Sequence, residues 1–595
     1  MEGMCLDHFI TDGMLRSFDN ILGRNGHTFL PMSIWKKEAA SILRAAANSC
    51  DFKSPCFFCA FRDDSEHCNE YRKAFIQSIV PNWLQEQMDD EKMALCYWDE
   101  TKSKLRFFKS FERAISSGKD VWVANNQAIR AEAAIAHRIR AGGKDRKVDE
   151  KHLENVLKWS QIGEKFRLSE EQLAVVRNVL TKHFVVVDGG PGTGKTTILR
   201  VIYQYYLELF PDLVFCCAPT GKAAKRLSEV THSQAQTMHR LLGATYDEES
   251  DETYFFYTKE NHHPGKVFLI DEASMIDAVI LASFLEAVDE DATIILVGDS
   301  HQLPSVGAGR VLADLIHSEK VNVFTLVENY RQLHDSMIVK NSSLILHGED
   351  MVFPEEEKSD IHFITSTNQE MLEKVMAWVI ENNPDDHVDR WRDIAILCPK
   401  RNGPISTETI NALLQKRNTS EKGINPSEFL IKEGVVRHFA KDDRVIQVRN
   451  DYRLLCKEND GTEGAGVFNG DIGFVRELNP YSDFPLDILF DDGRRALYPE
   501  KSVSDLELAY ALTVHKSQGG EWKKVLLVIP QEYGPIFNRN LLYTAVTRAK
   551  EELWILGDRS TIHRMIRSQY ADDRNTALRV FLEKPKETEE SHEND

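Results

Sequence analysis

The chain has 595 residues, of which 42% are hydrophobic and 28% charged, and carries a formal net charge of -20 at pH 7. That length exceeds what one hydrophobic core sustains and implies about three or four domains, while the absence of any run of about 18 apolar residues excludes a membrane-spanning helix. The acidic balance argues against a uniformly basic nucleic-acid binder, but leaves room for a narrow basic track on an otherwise acidic surface.

At the N-terminus, residues 1–11 carry Asp and Glu and lack a basic-then-apolar leader, so a cytoplasmic location is expected. The ten cysteines do not form a disulfide framework, which points to a reducing compartment. Cys50, Cys56, Cys59 and Cys68, with His67 beside the last, place four thiols within 19 residues. Zinc and iron–sulfur ligation both come to mind, but a ribbon needs two Cys-x-x-Cys pairs and only one is present. Phe57 and Phe58 between them look like core, so no metal site is assigned there. The first 140 residues are expected to form a mainly helical domain. The polar, basic stretch RIRAGGKDRK (138–147) reads as the start of a linker over 141–165.

Beyond it a pattern recurs: a short apolar run, a loop with functional groups, a helical segment. The runs are FVVVD (184–188), LVFCCA (213–218), VFLIDE (267–272) and TIILVGD (293–299). Runs that are β-branched-rich and apolar on both faces fit parallel strands covered by helices. A second set, DIAILC (393–398), KVLLVI (524–529) and ELWILGD (552–558), predicts a second core of the same kind. The expected class is therefore α/β, with cores over 166–345 and 346–583. Between the two sets, short alternating strands with Gly and Asp-Asp-Gly turns predict a small antiparallel barrel over 435–500, inserted into the second core. The run KPKETEESHEND (584–595) has almost no apolar content and is expected to be a disordered acidic tail.

Gly189, Gly190, Pro191, Gly192, Thr193, Gly194, Lys195 and Thr196, followed by Thr197, fit G-x-x-x-x-G-K-[ST] between an apolar strand and an amphipathic segment. Glycines there let backbone N–H groups converge on phosphates, with the helix N-terminus favouring the anion. Lys195 would hold the β- and γ-phosphates of ATP, and the Thr196 hydroxyl would bind Mg²⁺. Asp271 and Glu272 close an apolar strand, a position from which one carboxylate can hold Mg²⁺ and its neighbour can activate water. A surface Asp-Glu pair is the bland alternative, and four preceding apolar residues argue against it. Gln172, in LSEEQ, is weak evidence alone and reads equally as a solvated helix residue.

The ordered set is more specific than any member. LSEEQ, GGPGTGKTT (189–197), APTGKAAKRL (218–227), TMHRLLG (237–243), DEASMID (271–277), GDSHQLPSVGAG (298–309), ENYRQ (328–332), AYALTVHKSQGGEW (509–522) and YTAVTRAK (543–550) occur in one order over about two thirds of the chain. In this the chain resembles superfamily-one helicases of the B type, and among them the RecD family. The resemblance implies two RecA-like P-loop cores, with an SH3-like barrel as the insertion. It implies that Gln172 reads the adenine edge and Gln302 senses the γ-phosphate. Arg331 and Arg548 would reach across the cleft to the transferring phosphoryl group, a role that a planar, permanently charged fork suits. A surface salt bridge is the alternative for each Arg.

DNA contacts are implied for Thr220, Lys222, His239, Arg240, Thr513, His515, Lys516 and Ser517; such groups hold phosphates or stack on bases without reading sequence. The alternative for either His is a polar residue lining the cleft. By the same resemblance, residues 1–140 would dock RecB-like and RecC-like partner subunits acting at DNA ends, and movement would run 5′ to 3′. No nuclease carboxylate cluster is evident, so nuclease chemistry would belong to a partner. The 165 or so residues before the motor favour the complexed type over a solitary helicase. A subunit that binds ATP without turnover is the other alternative, against which Lys195, Asp271, Glu272, Arg331 and Arg548 all stand.

Overall fold

The computed structural model describes residues 26–38, 87–89, 92–99, 104–143, 145–160, 167–247, 252–328, 336–354, 359–430, 436–457, 463–568 and 574–583. Cys50, Cys56, Cys59 and Cys68, Arg331 and the 584–595 tail lie outside them.

The N-terminal region differs from the mainly helical expectation. Its described part holds a four-stranded antiparallel sheet in the order β1-β4-β2-β3, made of β1 (Phe29–Pro31), β2 (Met93–Asp99), β3 (Lys104–Phe107) and β4 (Trp122–Asn125). Leu95 and Cys96 are successive and both fully buried, so the sheet is covered on both faces and shows no polar–apolar alternation to betray it. The helix Asn126–Ala141 follows directly, capped by the Asn125 side chain accepting from the Ala128 N–H at 2.9 Å. Its Ala131, Ile135 and Ala136 join the core that lies against helix Ala278–Ala287.

The 141–165 stretch is not a simple linker. Residues Glu150–Ser160 form a helix whose Leu153 and Val156, one turn apart, are fully buried with Ile198, Leu199 and Ile202 of the phosphate-loop helix. That stripe lies beyond the polar 138–147 stretch on which the linker expectation rests.

The first core is a six-stranded, wholly parallel sheet of β5 (Phe184–Gly189), β6 (Val214–Ala218), β7 (Gln236–Thr237), β8 (Val267–Ile270), β9 (Thr293–Gly298) and β10 (Asn322–Leu326), in the order β10-β5-β9-β8-β6-β7. All four apolar runs expected as strands are strands. β8 and β9 are buried end to end, as doubly covered parallel strands require.

The second core begins with β11 (Ile361–Thr365) and β12 (Ile394–Cys398). The chain then leaves the core for seven strands: β13 (Arg444–Gln447), β14 (Asp451–Lys457), β15 (Glu463–Val467), β16 (Ile472–Leu478), β17 (Leu486–Phe490), β18 (Arg495–Tyr498) and β19 (Leu506–Leu508). They form one antiparallel sheet, β15-β14-β18-β17-β16-β13-β19, around a separate core that includes Val445, Val475, Ile488 and Tyr498. The chain returns as β20 (Ala511–Thr513), β21 (Trp522–Val528) and β22 (Ala549–Gly557), completing a parallel sheet in the order β11-β22-β21-β12-β20. The insertion therefore departs from and returns to neighbouring strands, β12 and β20.

Two boundaries move. Helix Met337–His347 buries Ile338 and Ile345 in the second core, so that core starts before the expected 346. At the other end, Leu578 and Leu582 of helix Leu578–Leu582 are buried in the first core. The last described segment has crossed back. Each helix has an apolar stripe legible in sequence, but a stripe does not say which core it faces.

Candidate nucleotide pocket and the cleft between the cores

The phosphate loop is built largely from backbone. Gly192 at φ +78° and Gly194 at φ +85° adopt left-handed conformations that side-chain-bearing residues resist. Helix Lys195–Leu209 starts at Gly194 with no side-chain cap, so its first N–H groups face the loop's concavity. Lys195 Nζ donates to the carbonyls of Gly189 at 2.5 Å and Gly190 at 2.9 Å, which holds the ammonium over the loop. Thr193 Oγ1 donates to the Gly190 carbonyl at 2.9 Å.

Gln172 is 3% exposed and acts as a brace: its Oε1 accepts from Ser169 N–H at 3.1 Å in a capping box, and its Nε2 donates to the Thr193 carbonyl at 3.0 Å. A Cβ at position 194 would lie 2.3 Å from that Nε2. The residue expected to read adenine thus also fixes the phosphate loop.

Asp271 follows β8 and accepts from the Glu272 N–H at 2.9 Å through Oδ1. Burial, then the neighbouring Glu272 charge, pushes its carboxyl up to about 6, opposed by Lys195 and Arg226. Glu272 sits at φ +54°, a left-handed conformation costing a non-glycine residue about 1–3 kcal/mol. A strained, acidic pair at the strand end, within the field of Lys195, fits a Mg²⁺–nucleotide: Asp271 and Thr196 would hold the ion.

Loop 299–309 is where the cores meet. Asp299, 1% exposed, accepts from Tyr543 OH at 3.0 Å and from Gln302 Nε2 at 3.3 Å. Gln302 is 5% exposed, and its Oε1 has no hydrogen-bond partner among the described residues. Next to it, Leu303 N–H donates to Thr544 Oγ1 at 2.9 Å, and its carbonyl accepts from Gln518 Nε2 at 2.9 Å. Asn540 Nδ2 donates to the His301 carbonyl at 3.1 Å. Sequence reasoning missed Asn540, Tyr543 and Thr544, yet their i, i+3, i+4 spacing on helix Arg539–Val546 marks one helix face.

Arg548, 2% exposed, donates from Nε to the Thr544 carbonyl at 3.0 Å, from Nη1 to the Gly520 carbonyl at 3.1 Å and from Nη2 to Thr547 Oγ1 at 3.2 Å. Burial lowers its pKa, while the negative charges of Glu272 and Glu521 oppose the shift. It is therefore anchored in the second core within the field of the first core's Glu272.

The residues expected to touch a nucleic acid are less uniformly available. Thr220 caps helix Gly221–Thr231, its Oγ1 accepting from Ala223 N–H at 3.3 Å. The same helix grips the second core and its insertion. Lys222 Nζ lies 4.2 Å from the Trp522 ring centroid, Lys225 pairs with Asp492 at 2.8 Å and Arg226 with Glu521 at 3.3 Å. Lys222 is half-buried, and burial pushes its ammonium down to about 8.

Lys516 Nζ is held by Glu507 at 2.6 Å, and the Thr513 hydroxyl accepts from the Lys516 N–H at 3.2 Å. Ser517 is fully buried and donates to the Val514 carbonyl at 2.7 Å, so the structure keeps it out of the cleft. Burial lowers the pKa of both His239 and His515, which favours neutral rings suited to stacking rather than to pairing with phosphate. Arg240 is exposed.

Two parallel cores, a phosphate loop on the first and a buried arginine presented by the second define a two-core P-loop NTPase of the helicase type. Comparison with known proteins agrees. The family model described as "AAA domain" matches residues 167–366, and that described as "UvrD-like helicase C-terminal domain" matches 508–556. The chain is similar to the "ATP-dependent RecD2 DNA helicase" of Deinococcus radiodurans, 33% identical over 412 residues that cover 69% of this chain and 52% of that one. It is also similar to the "RecBCD enzyme subunit RecD" of Mycolicibacterium smegmatis, 28% identical over 457 residues covering 69% and 75%. The match thus spans about half the length of the first relative and three quarters of the second. Among solved structures, a Pif1 helicase from Bacteroides in complex with ADP-AlF3 and ssDNA aligns at 20% identity and a TM-score of 0.42, over 68% of this chain and 96% of that one. The chain is thus similar to RecD-type helicases over about two thirds of its own length.

Proposed function

We propose that the chain is an ATP-driven DNA helicase that moves 5′ to 3′ and serves as a motor subunit of a RecBCD-type complex in double-strand break repair. The observation that carries this reading is loop 299–309. It holds Gln302 against Asp299 at the end of β9 in the first core and is hydrogen-bonded to Gln518, Asn540, Tyr543 and Thr544 of the second. A change at the γ-phosphate that moves this loop must move the second core with it.

In the site, Lys195 and the loop N–H groups bind the phosphates, and Thr196 and Asp271 hold Mg²⁺, which neutralises charge on the β- and γ-phosphates when bound. Glu272 accepts a proton from the attacking water. Gln302 orients against the γ-phosphate. Arg548, joined by Arg331, stabilises the developing charge as the cores close. The nucleic-acid strand runs across Thr220, Lys222, His239 and Arg240 on the first core and Thr513, His515 and Lys516 on the second, with the seven-stranded insertion, read as the family's SH3-like barrel, beside it. Residues 1–140 dock RecB-like and RecC-like subunits.

Strand-displacement assays on duplexes with a 5′ or a 3′ single-stranded tail test the reading. Unwinding of the 5′-tailed duplex alone is expected; preference for the 3′ tail would refute the polarity, and inactivity on both tails even with partner subunits would refute the motor.

A further inference from the structure

The segment after the second core returns to the first and ends on the loop that carries Gln302. Arg574 donates from Nη2 to the Ser305 carbonyl at 2.9 Å, and from Nη1 to the carbonyls of Gly309 at 2.8 Å and Gly307 at 3.4 Å. One guanidinium thus ties three carbonyls of a five-residue turn. The other end of the same loop is held by Thr544 and Gln518 through Leu303.

The strap is itself anchored. Asn575 N–H donates to His27 Nδ1 at 2.9 Å, its carbonyl accepts from Thr28 N–H at 3.0 Å, and Ala577 N–H donates to Glu132 Oε2 at 2.8 Å. Gly26 accepts from the Gly309 N–H at 2.9 Å through its carbonyl. A Cβ at position 26 would lie 2.4 Å from Arg574 Cζ, so the N-terminal segment is shaped to let the guanidinium lie flat on the loop.

We propose that Arg574 is a positioning residue for ATP hydrolysis: it fixes loop 303–309 and so holds Gln302 at the γ-phosphate while the strap tethers the end of the second core to the first. The proposal rests on the assignment of Gln302 in the proposed function. Two features separate it from mere stabilisation. The contacts go to the carbonyls of one loop rather than to a general core. They also fall at residues 305–309, beyond Leu303, where Thr544 and Gln518 hold the loop, so that Gln302 and its loop are tied from both cores.

The test uses the full chain. Hydrogen exchange is followed in Arg574→Ala, and ATP hydrolysis with single-stranded DNA in wild type, Arg574→Ala, Gln302→Ala and the double variant. Exchange is expected to quicken over 303–309 and not over 189–196. The kcat is expected to fall about ten-fold with KM for ATP within about two-fold, as a small misplacement of a reacting group produces. The double variant should be no slower than Gln302→Ala, because two residues acting through one step are not additive. Gly26→Ala, which pushes the guanidinium aside without removing it, should reproduce the effect, and millimolar guanidinium should partly restore Arg574→Ala. Unchanged exchange over 303–309, or losses that multiply in the double variant, would overturn the proposal. Absence of hydrolysis by wild type would instead count against the motor reading, and the exchange measurement would still decide whether Arg574 holds the loop.

Discussion

The nucleotide pocket and the face expected to carry DNA are built on different principles. The pocket is largely backbone: left-handed Gly192 and Gly194, an uncapped helix start, and Lys195 resting on two loop carbonyls. It stands ready for an anion. The DNA face is mostly side chains that already have partners. Lys222 covers Trp522, Lys516 is paired with Glu507, and Ser517 is sealed beneath the surface. Phosphate binding at the first site adds contacts. Strand binding at the second would exchange them, so its affinity would be the difference between new and broken contacts.

The largest expected effect lies on the backbone side. Lys195→Ala should lower ATP hydrolysis by at least about 10²-fold, as loss of a preorganised charge partner does. Gly194→Ala comes next. Its Cβ would meet Gln172 Nε2 at 2.3 Å at a φ of +85°, so steady-state assays should show a loss of about ten-fold or more. A Gly194→Ala enzyme with wild-type kcat and KM would mean the loop is not the rigid cradle described.

The DNA face should respond more mildly and in both directions. Glu507→Gln frees Lys516 and should strengthen single-stranded DNA binding a few-fold, whereas Lys516→Ala should weaken it and reduce the salt dependence by about one counterion. Equal affinities in fluorescence-anisotropy titrations of both variants would remove Lys516 from the interface and with it the idea of exchanged contacts.

The smallest effect concerns neither site. Glu132 is fully buried at the junction of strap and first core, facing Asp314 and Thr28, and burial pushes its carboxyl up to about 8. A carboxyl whose pKa is raised by folding binds more protons in the native state than in the unfolded one. Its contribution to stability is therefore greatest below the unfolded value and falls as pH rises from about 4.5 to about 8. Thermal melts of Glu132→Gln should show a flatter profile across that window, by a few degrees at its alkaline end. A profile parallel to wild type would mean this carboxyl does not titrate there.

Much of this was legible in the sequence, for identifiable reasons. Strands β5, β6, β8 and β9 announce themselves because a doubly covered parallel strand must be apolar throughout, and the loops that follow them carry the chemistry. The insertion is legible from its alternating strands and Asp-Asp-Gly turn. What sequence withholds is address. The apolar stripes of helices Met337–His347 and Leu578–Leu582 predict burial but not the core that receives them. The N-terminal sheet was illegible because β1 and β2 are separated by some sixty residues and β2 has no alternation. Among site residues, the structure brings Lys195 within the field of Asp271, beside Glu272, as the motif order leads one to expect. The sequence cannot tell that Gln172 braces the phosphate loop or that Ser517 faces inward, since both facts depend on which neighbour reaches a polar atom first.

ATP hydrolysis by the purified chain, with and without single-stranded DNA and beside Lys195→Ala, tests the central claim most directly. Hydrolysis that rises on adding DNA and disappears in the variant is the predicted result, because the loop carrying Gln302 is bonded to both cores. Hydrolysis that is indifferent to DNA, or that survives loss of Lys195, would contradict a motor in which the pocket and the strand-binding face are coupled.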